Sequence, residues 1–263
     1  MPVIHVGAVG QSVWRSDDGG TSFRIRTKGM WAECDIRALT TQPGHGEVMY
    51  AGSNSGVFKS TDSGSTWEPS GTEMAGREIW SIGVSRQDRE LVVAGTCPGG
   101  LYMSEDGGDT WREGEGDAIA QDCFDGAMQT RITCVLMHPK ERDTVFAGVE
   151  ADGPRRSRDG GKTWHRIGLE DVDVHDIRMG PEGTMYLSSN YEVFRSDDEG
   201  DSWEPLHIAD HFRHSYCRGM SFSPTAPRVL YVGNGSGPPG NTGSIYRTRN
   251  RGESWERVDV NGD

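Results

Sequence analysis

One eight-residue pattern, S-x-D-x-G-x-T-W, occurs six times in this chain, and no other feature constrains the fold as tightly. Four copies are close: SDDGGTSF (16–23), STDSGSTW (60–67), SEDGGDTW (104–111) and SRDGGKTW (157–164). Two are looser, SDDEGDSW (196–203) and TRNRGESW (248–255). Their starts lie 39 to 53 residues apart. A single match would mean little. Six at this spacing define a structural repeat.

The flanks repeat as well. An aliphatic-aromatic pair precedes most copies: Val13-Trp14, Val57-Phe58, Leu101-Tyr102, Val193-Phe194 and Ile245-Tyr246. Upstream stand short runs ending in glycine, VMYAG (48–52), VVAG (92–95), VFAG (145–148) and VLYVG (229–233). A third run leads into a proline- or charge-marked turn: IRAL before Pro43, WSIGV before Gln87-Asp88, ITCVLM before Pro139, IRM before Pro181 and MSF before Pro224. Short β-branched and aromatic runs between Gly, Asp and Pro clusters read as strands and turns. Each unit is therefore strand A, strand B, strand C, box turn, strand D, and four strands in about 45 residues make a propeller blade. The expectation is an all-β chain, one β-propeller domain over residues 1–263 with six repeats.

The ring carries one irregularity. The chain opens on a B strand (VIHVG) and ends just after a D strand (WERVDV), which gives five A strands against six of each other kind. Two readings stay open: six blades with blade one lacking its inner strand, or a seven-bladed pattern lacking one blade.

The box has a physical rationale. An Asp in a tight turn accepts hydrogen bonds from nearby amides, glycine supplies the unusual dihedrals, and the closing aromatic packs into the blade. Five of the eight tryptophans are closing residues. Box six carries Asn250 in place of the carboxylate, which suits a hydrogen-bonded turn better than a cation loop. In blade four, Pro154-Arg155 replaces the aliphatic-aromatic pair, and a Pro there predicts an edge or distorted strand.

These boxes, in their strand context, resemble the BNR or Asp-box repeats of sialidases, sortilin-type receptors, xyloglucan-cleaving glycosidases and photosystem assembly factors. They also look like stand-alone bacterial propellers of the glycosyl-hydrolase-like kind. The resemblance implies the fold across nearly the whole chain. It leaves function open, because unlike activities share this scaffold. Sialidase chemistry would need an early Arg-Ile-Pro; the nearest string, FRIR (23–26), follows the first box and lacks the proline.

Charge and cysteine content narrow the partners. A formal net charge of −13 repels phosphate backbones and anionic headgroups, so neither nucleic acid nor membrane is expected as a partner. The start, MPVIHVGAVG, has no basic segment followed by an apolar one, and five cysteines without a CxxC pair give no disulfide framework. A cytoplasmic location is the expectation. The sequence assigns no cofactor.

In a propeller, strand A lines the axis, and the D–A and B–C loops share one face. Functional groups crowd the segments entering strand A and the B–C loops: Asp173, Asp176, Asn190 and Asn234 are among them. The candidate catalytic residues are Glu33, His175 and His214, with a histidine as general acid or base near neutral pH and Glu33 as an alternative acid. The candidate ligand-binding residues are Trp31, Trp80, Arg131, Tyr216 and Arg218, where the two arginines suit a carboxylate or phosphate. The segment HIADHFRHSYC would place His207, His211 and His214 on one face if it formed a short helix, but its spacing matches no strong metal signature and no metal is assigned. Cys217, beside Arg218, is the thiol to probe for reactivity. The long D–A loop, 112–130, reads equally as a lid or a surface insertion. The leading expectation is an axial pocket for a small polar or sugar-like ligand, with a hydrolase or lyase as its enzymatic form. The alternative is a non-catalytic protein-interaction or assembly scaffold.

Overall fold

A computed structural model describes residues 1–258. It is an all-β, six-bladed propeller arrangement, with one antiparallel meander per repeat. Among the described residues, blade one has three strands, Ile4–Ala8, Ser12–Ser16 and Arg24–Ile25, and no inner strand. Blades two, three, five and six have four strands each and open on the A strands Ile36–Gln42, Glu78–Val84, Val174–Met179 and Tyr216–Phe222. The last D strand, Glu256–Val258, belongs to WERVDV; its residues 259–260 lie outside those described. By contact density the chain divides into two compact units. The first comprises Met1–Val145 with Ser157–Trp164, and the second comprises Phe146–Arg156 with the chain from His165 onward. No helix of the described residues is long and apolar enough to cross a membrane.

The repeated glycine of strand B has a packing cause. In the first unit, a Cβ on Gly52 would lie 2.7 Å from Ile79 Cγ2, and one on Gly95 would lie 2.4 Å from Ile132. Each glycine thus leaves room for the isoleucine of the following blade's A strand. Adjacent blades are also clasped at the box turns. Tyr50 Oη donates to Gly107 O (2.8 Å) and His5 Nε2 meets Ser63 O (2.9 Å). In the second unit, Arg156 donates to Glu199 O (3.0 Å) and Arg195 to Arg251 O (3.3 Å). Every clasp runs from one blade to the turn of its successor.

The box turns share one hydrogen-bond pattern. In box two, Gly64 N–H donates to Ser60 Oγ (2.9 Å), while Thr66 donates to Asp62 through both its amide (2.8 Å) and its hydroxyl (2.7 Å). Box six builds the same turn on Asn250, whose Oδ1 accepts from Ser254 N (3.1 Å). The charge is therefore not needed for the geometry. It does matter for titration. Burial raises the Asp62 and Asp106 carboxyls, but donors from Thr66 and Thr110 outweigh it and hold both at about 2. The Ser202 hydroxyl and amide hold Asp198 at about 2 as well. A carboxyl depressed in the folded state contributes stability that is present above its unfolded value near 4 and lost as pH falls toward 2. Asp62→Asn is expected to leave the fold intact and flatten this acid limb, measured as urea midpoint from pH 5 to 2. An unchanged slope would contradict it.

One element differs from the sequence reading. Blade four's C strand, Gly153–Ser157, is neither an edge nor distorted; it lies between the B strand Val145–Val149 and the D strand Thr163–Arg166. The equivalent amide in blade five, Val193 N–H, bonds the Glu192 carboxylate rather than a neighbouring strand, so a proline at Pro154 forfeits no ladder bond. Arg155 occupies the aromatic position wholly buried (0% exposed), paired with Asp152 Oδ2 at 2.7 Å. Arg166 also pairs with Asp152. In the first unit, the long D–A loop carries short strands of its own. Glu115–Gly116 pairs in parallel with Thr163 and Trp164, and Asp122–Cys123 forms a small hairpin with Met128–Gln129.

Candidate functional site

The second unit gathers a contiguous polar site at the B–C end of blades five and six. Strand A of blade five presents His175, whose Nδ1 meets the Cys217 carbonyl at 2.6 Å and whose Nε2 lies 3.2 Å from Asp173 Oδ2. A carbonyl only accepts, so Nδ1 carries the hydrogen. Nε2 then faces the Asp173 carboxylate. The Tyr216 ring lies 4.8 Å from the His175 ring, and the Arg218 guanidinium sits over the other aromatic at 5.7 Å. Tyr216, Arg218 and Asn234 line an open cleft of about 670 Å³, closed on one side by residues 237–243.

Several buried polar atoms here make no hydrogen bond among the described residues: Asp173 Oδ1, Ser188 Oγ, Asn190 Oδ1 and Asn234 Oδ1. The registers Val174 with Ser189 and Cys217 with Asn234 place all four at this same end of their sheets. Buried polar groups are nearly always satisfied, so unsatisfied ones ask for a ligand or water. Three of these four are pure acceptors. A matching ligand is rich in hydroxyl donors.

The other expected residues fall into place unevenly. His214 is tied into the cleft's rim: its Nε2 meets Thr242 Oγ1 at 2.9 Å, and its carbonyl accepts from Asn234 Nδ2. In the first unit, Trp80 carries two guanidinium groups over its ring, Arg37 at 4.4 Å and Arg131 at 4.6 Å. Arg37 also pairs with Glu78 (2.8 Å) and went unnoticed in the sequence, although its place on an A strand was the available signal. Trp31 is 73% exposed and borders an apolar hollow with Met30, Phe58 and Met74. Glu33 is exposed and makes no hydrogen bond or ion pair among the described residues.

Two expectations are corrected. Residues Ile208–Asp210 form a single 3-10 turn, with His207 left-handed before it, so the histidines share no helical face. Among the described residues, no three of His207, His211, His214 and Cys217 bring ligand atoms together. Cys217 is fully buried, and burial pushes its thiol up to about 12, with Glu192 adding to the shift. It is a core thiol rather than a reactive one.

The model of the BNR/Asp-box repeat family matches residues 155–166, the fourth box. With six such boxes each closing a blade, the architecture is decided. The chain is an Asp-box repeat β-propeller. The propeller is 32% identical to a xyloglucanase of Hypocrea jecorina over 117 residues, 43% of this chain and 14% of that enzyme. Its fold matches the GH74 xyloglucanase of Xanthomonas campestris with a TM-score of 0.78 at 16% identity, covering 98% of this chain and 43% of that one. It also matches YCF48 bound to D1 peptide, with a TM-score of 0.68 at 16% identity over 96% of this chain and 76% of that one. The propeller thus spans less than half the length of either xyloglucanase.

Proposed function

We propose that this propeller binds a saccharide at the B–C end of blades five and six, and that Asp173 and His175 supply the acid–base group of a hydrolytic reaction on it. One observation carries the reading: Asp173 Oδ1, Asn190 Oδ1 and Asn234 Oδ1 meet no donor among the described residues, at the sheet end where Asn234 and Tyr216 line an open cleft. Sugar hydroxyls supply donors, and the Tyr216 ring offers a face for a pyranose. The likeness to xyloglucanases supports a β-glucan chain as the ligand class.

Calorimetric titration with xyloglucan oligosaccharides tests it. Asn234→Ala and Tyr216→Ala are each expected to weaken binding at least tenfold. Asp173→Asn is expected to abolish release of reducing ends while changing affinity only a few-fold. If no saccharide binds the wild type, the reading fails. The scaffold reading would then stand, favoured by Phe124 and Met128, which are exposed on the hairpin of the long D–A loop.

A further inference from the structure

Box six departs from its siblings at adjacent positions, and the departures converge on one cavity. Residues 249–251 read Arg-Asn-Arg, where box three has Glu-Asp-Gly, box five has Asp-Asp-Glu, and box four, which shares the first arginine, has Arg-Asp-Gly. Arg249 and Arg251 join Arg228, Tyr186 and Phe222 around a hollow of about 220 Å³. Phe222, Leu230 and Thr248 are in register at this end of blade six, while Tyr216, Gly235 and Gly243 are in register at the other. The hollow is therefore separate from the saccharide cleft.

Its chemistry is two-sided. The floor is aromatic: Tyr186 is buried and meets Phe222 edge-on at 5.9 Å. The rim is cationic but partly neutralised. Arg228 pairs with Glu182; Arg251 pairs with Asp197 and donates to Thr184 Oγ1 at 3.0 Å; Glu253 also borders the hollow. Arg249 makes no hydrogen bond or ion pair among the described residues, and it reaches Glu256 only through space, helping to lower that carboxyl. Three guanidinium groups thus meet three carboxylates, Glu182, Asp197 and Glu253, and Arg249 is the one whose hydrogen-bonding capacity is unspent among the described residues.

We propose that this hollow is a second ligand site, which takes a small anion carrying an aromatic ring. The ring rests on Phe222 and Tyr186, and the anionic group meets Arg249 and Arg251. Aryl carboxylates and aryl phosphates share this chemistry. The inference does not depend on the saccharide reading.

Calorimetry with four probes tests it: benzoate, phenyl phosphate, inorganic phosphate and benzyl alcohol. At least one of the first two is expected to bind, and which of them binds tighter distinguishes carboxylate from phosphate. The half-probes, each lacking ring or charge, are expected to bind at least tenfold weaker. Arg249→Ala and Arg251→Gly should each weaken the whole probe about tenfold. Arg251→Gly restores the glycine of boxes three and four, so it is expected to keep the wild-type Tm and report on binding alone. Equal binding of a half-probe, wild-type affinity in both variants, or no binding of either aryl anion would overturn the proposal.

Discussion

Asp152→Ala is expected to destabilise the second unit by about 3–5 kcal/mol, the usual cost of breaking a buried ion pair from one side. Arg155 lies wholly inside blade four, with Nη2 on the Asp152 carboxylate and Nη1 on the Asp152 carbonyl at 2.8 Å. A guanidinium does not shed its proton at any ordinary pH, so it must stay charged when its carboxylate is removed. The reverse substitution is gentler. In Arg155→Met, Asp152 keeps its pair with Arg166, and the thioether fills a position where other blades place an aromatic ring. Urea unfolding of both variants reads the asymmetry. If Arg155→Met costs as much as Asp152→Ala, the charge argument is wrong and loss of volume explains both.

The second large effect is at a box aromatic. Trp111→Ala should cost about 3–5 kcal/mol, a sizeable share of the roughly 5–15 kcal/mol that a domain has. Trp111 is buried in the cluster that holds Tyr50, Met74 and Ile82, and its Nε1 donates to Gly108 O at 3.1 Å. Gly71, in the preceding D–A connection, lies so close that a Cβ there would sit 2.4 Å from Trp111 Cδ1. Removing the indole therefore empties a space that the backbone of two blades encloses. Trp111→Phe, which keeps most of the ring, should cost clearly less in thermal unfolding. Equal losses would show that the indole hydrogen bond, not the packing, carries the effect.

The repeat made the fold legible because its signals are local. Serine, aspartate and glycine set each turn within eight residues, and a strand's alternation needs only its own sequence. Features that depend on what lies across a sheet were not readable in the same way. Pro154-Arg155 looked like a defect because the string does not reveal that its amide needs no partner or that Asp152 folds back onto the guanidinium. The loop 112–130 gave no sign that Glu115–Gly116 would extend blade four. At the candidate site, the strand-entry rule located Asp173, His175 and Tyr216, since it follows from topology. The unmet acceptors of Asn190 and Asn234 depend on atomic surroundings, as does the Arg37 guanidinium over Trp80.

The clasps between repeats have a direction. Tyr50 grips the turn of the next box, as do Arg156 and Arg195 in the second unit, and none of these hydrogen bonds runs backward. Nearest-neighbour coupling of this sort makes an array fail by links, not all at once. Damage to a gripping side chain is felt downstream: loosening at Tyr50 should register first as faster amide exchange around Gly107, while its own turn at residues 60–66 keeps its protection.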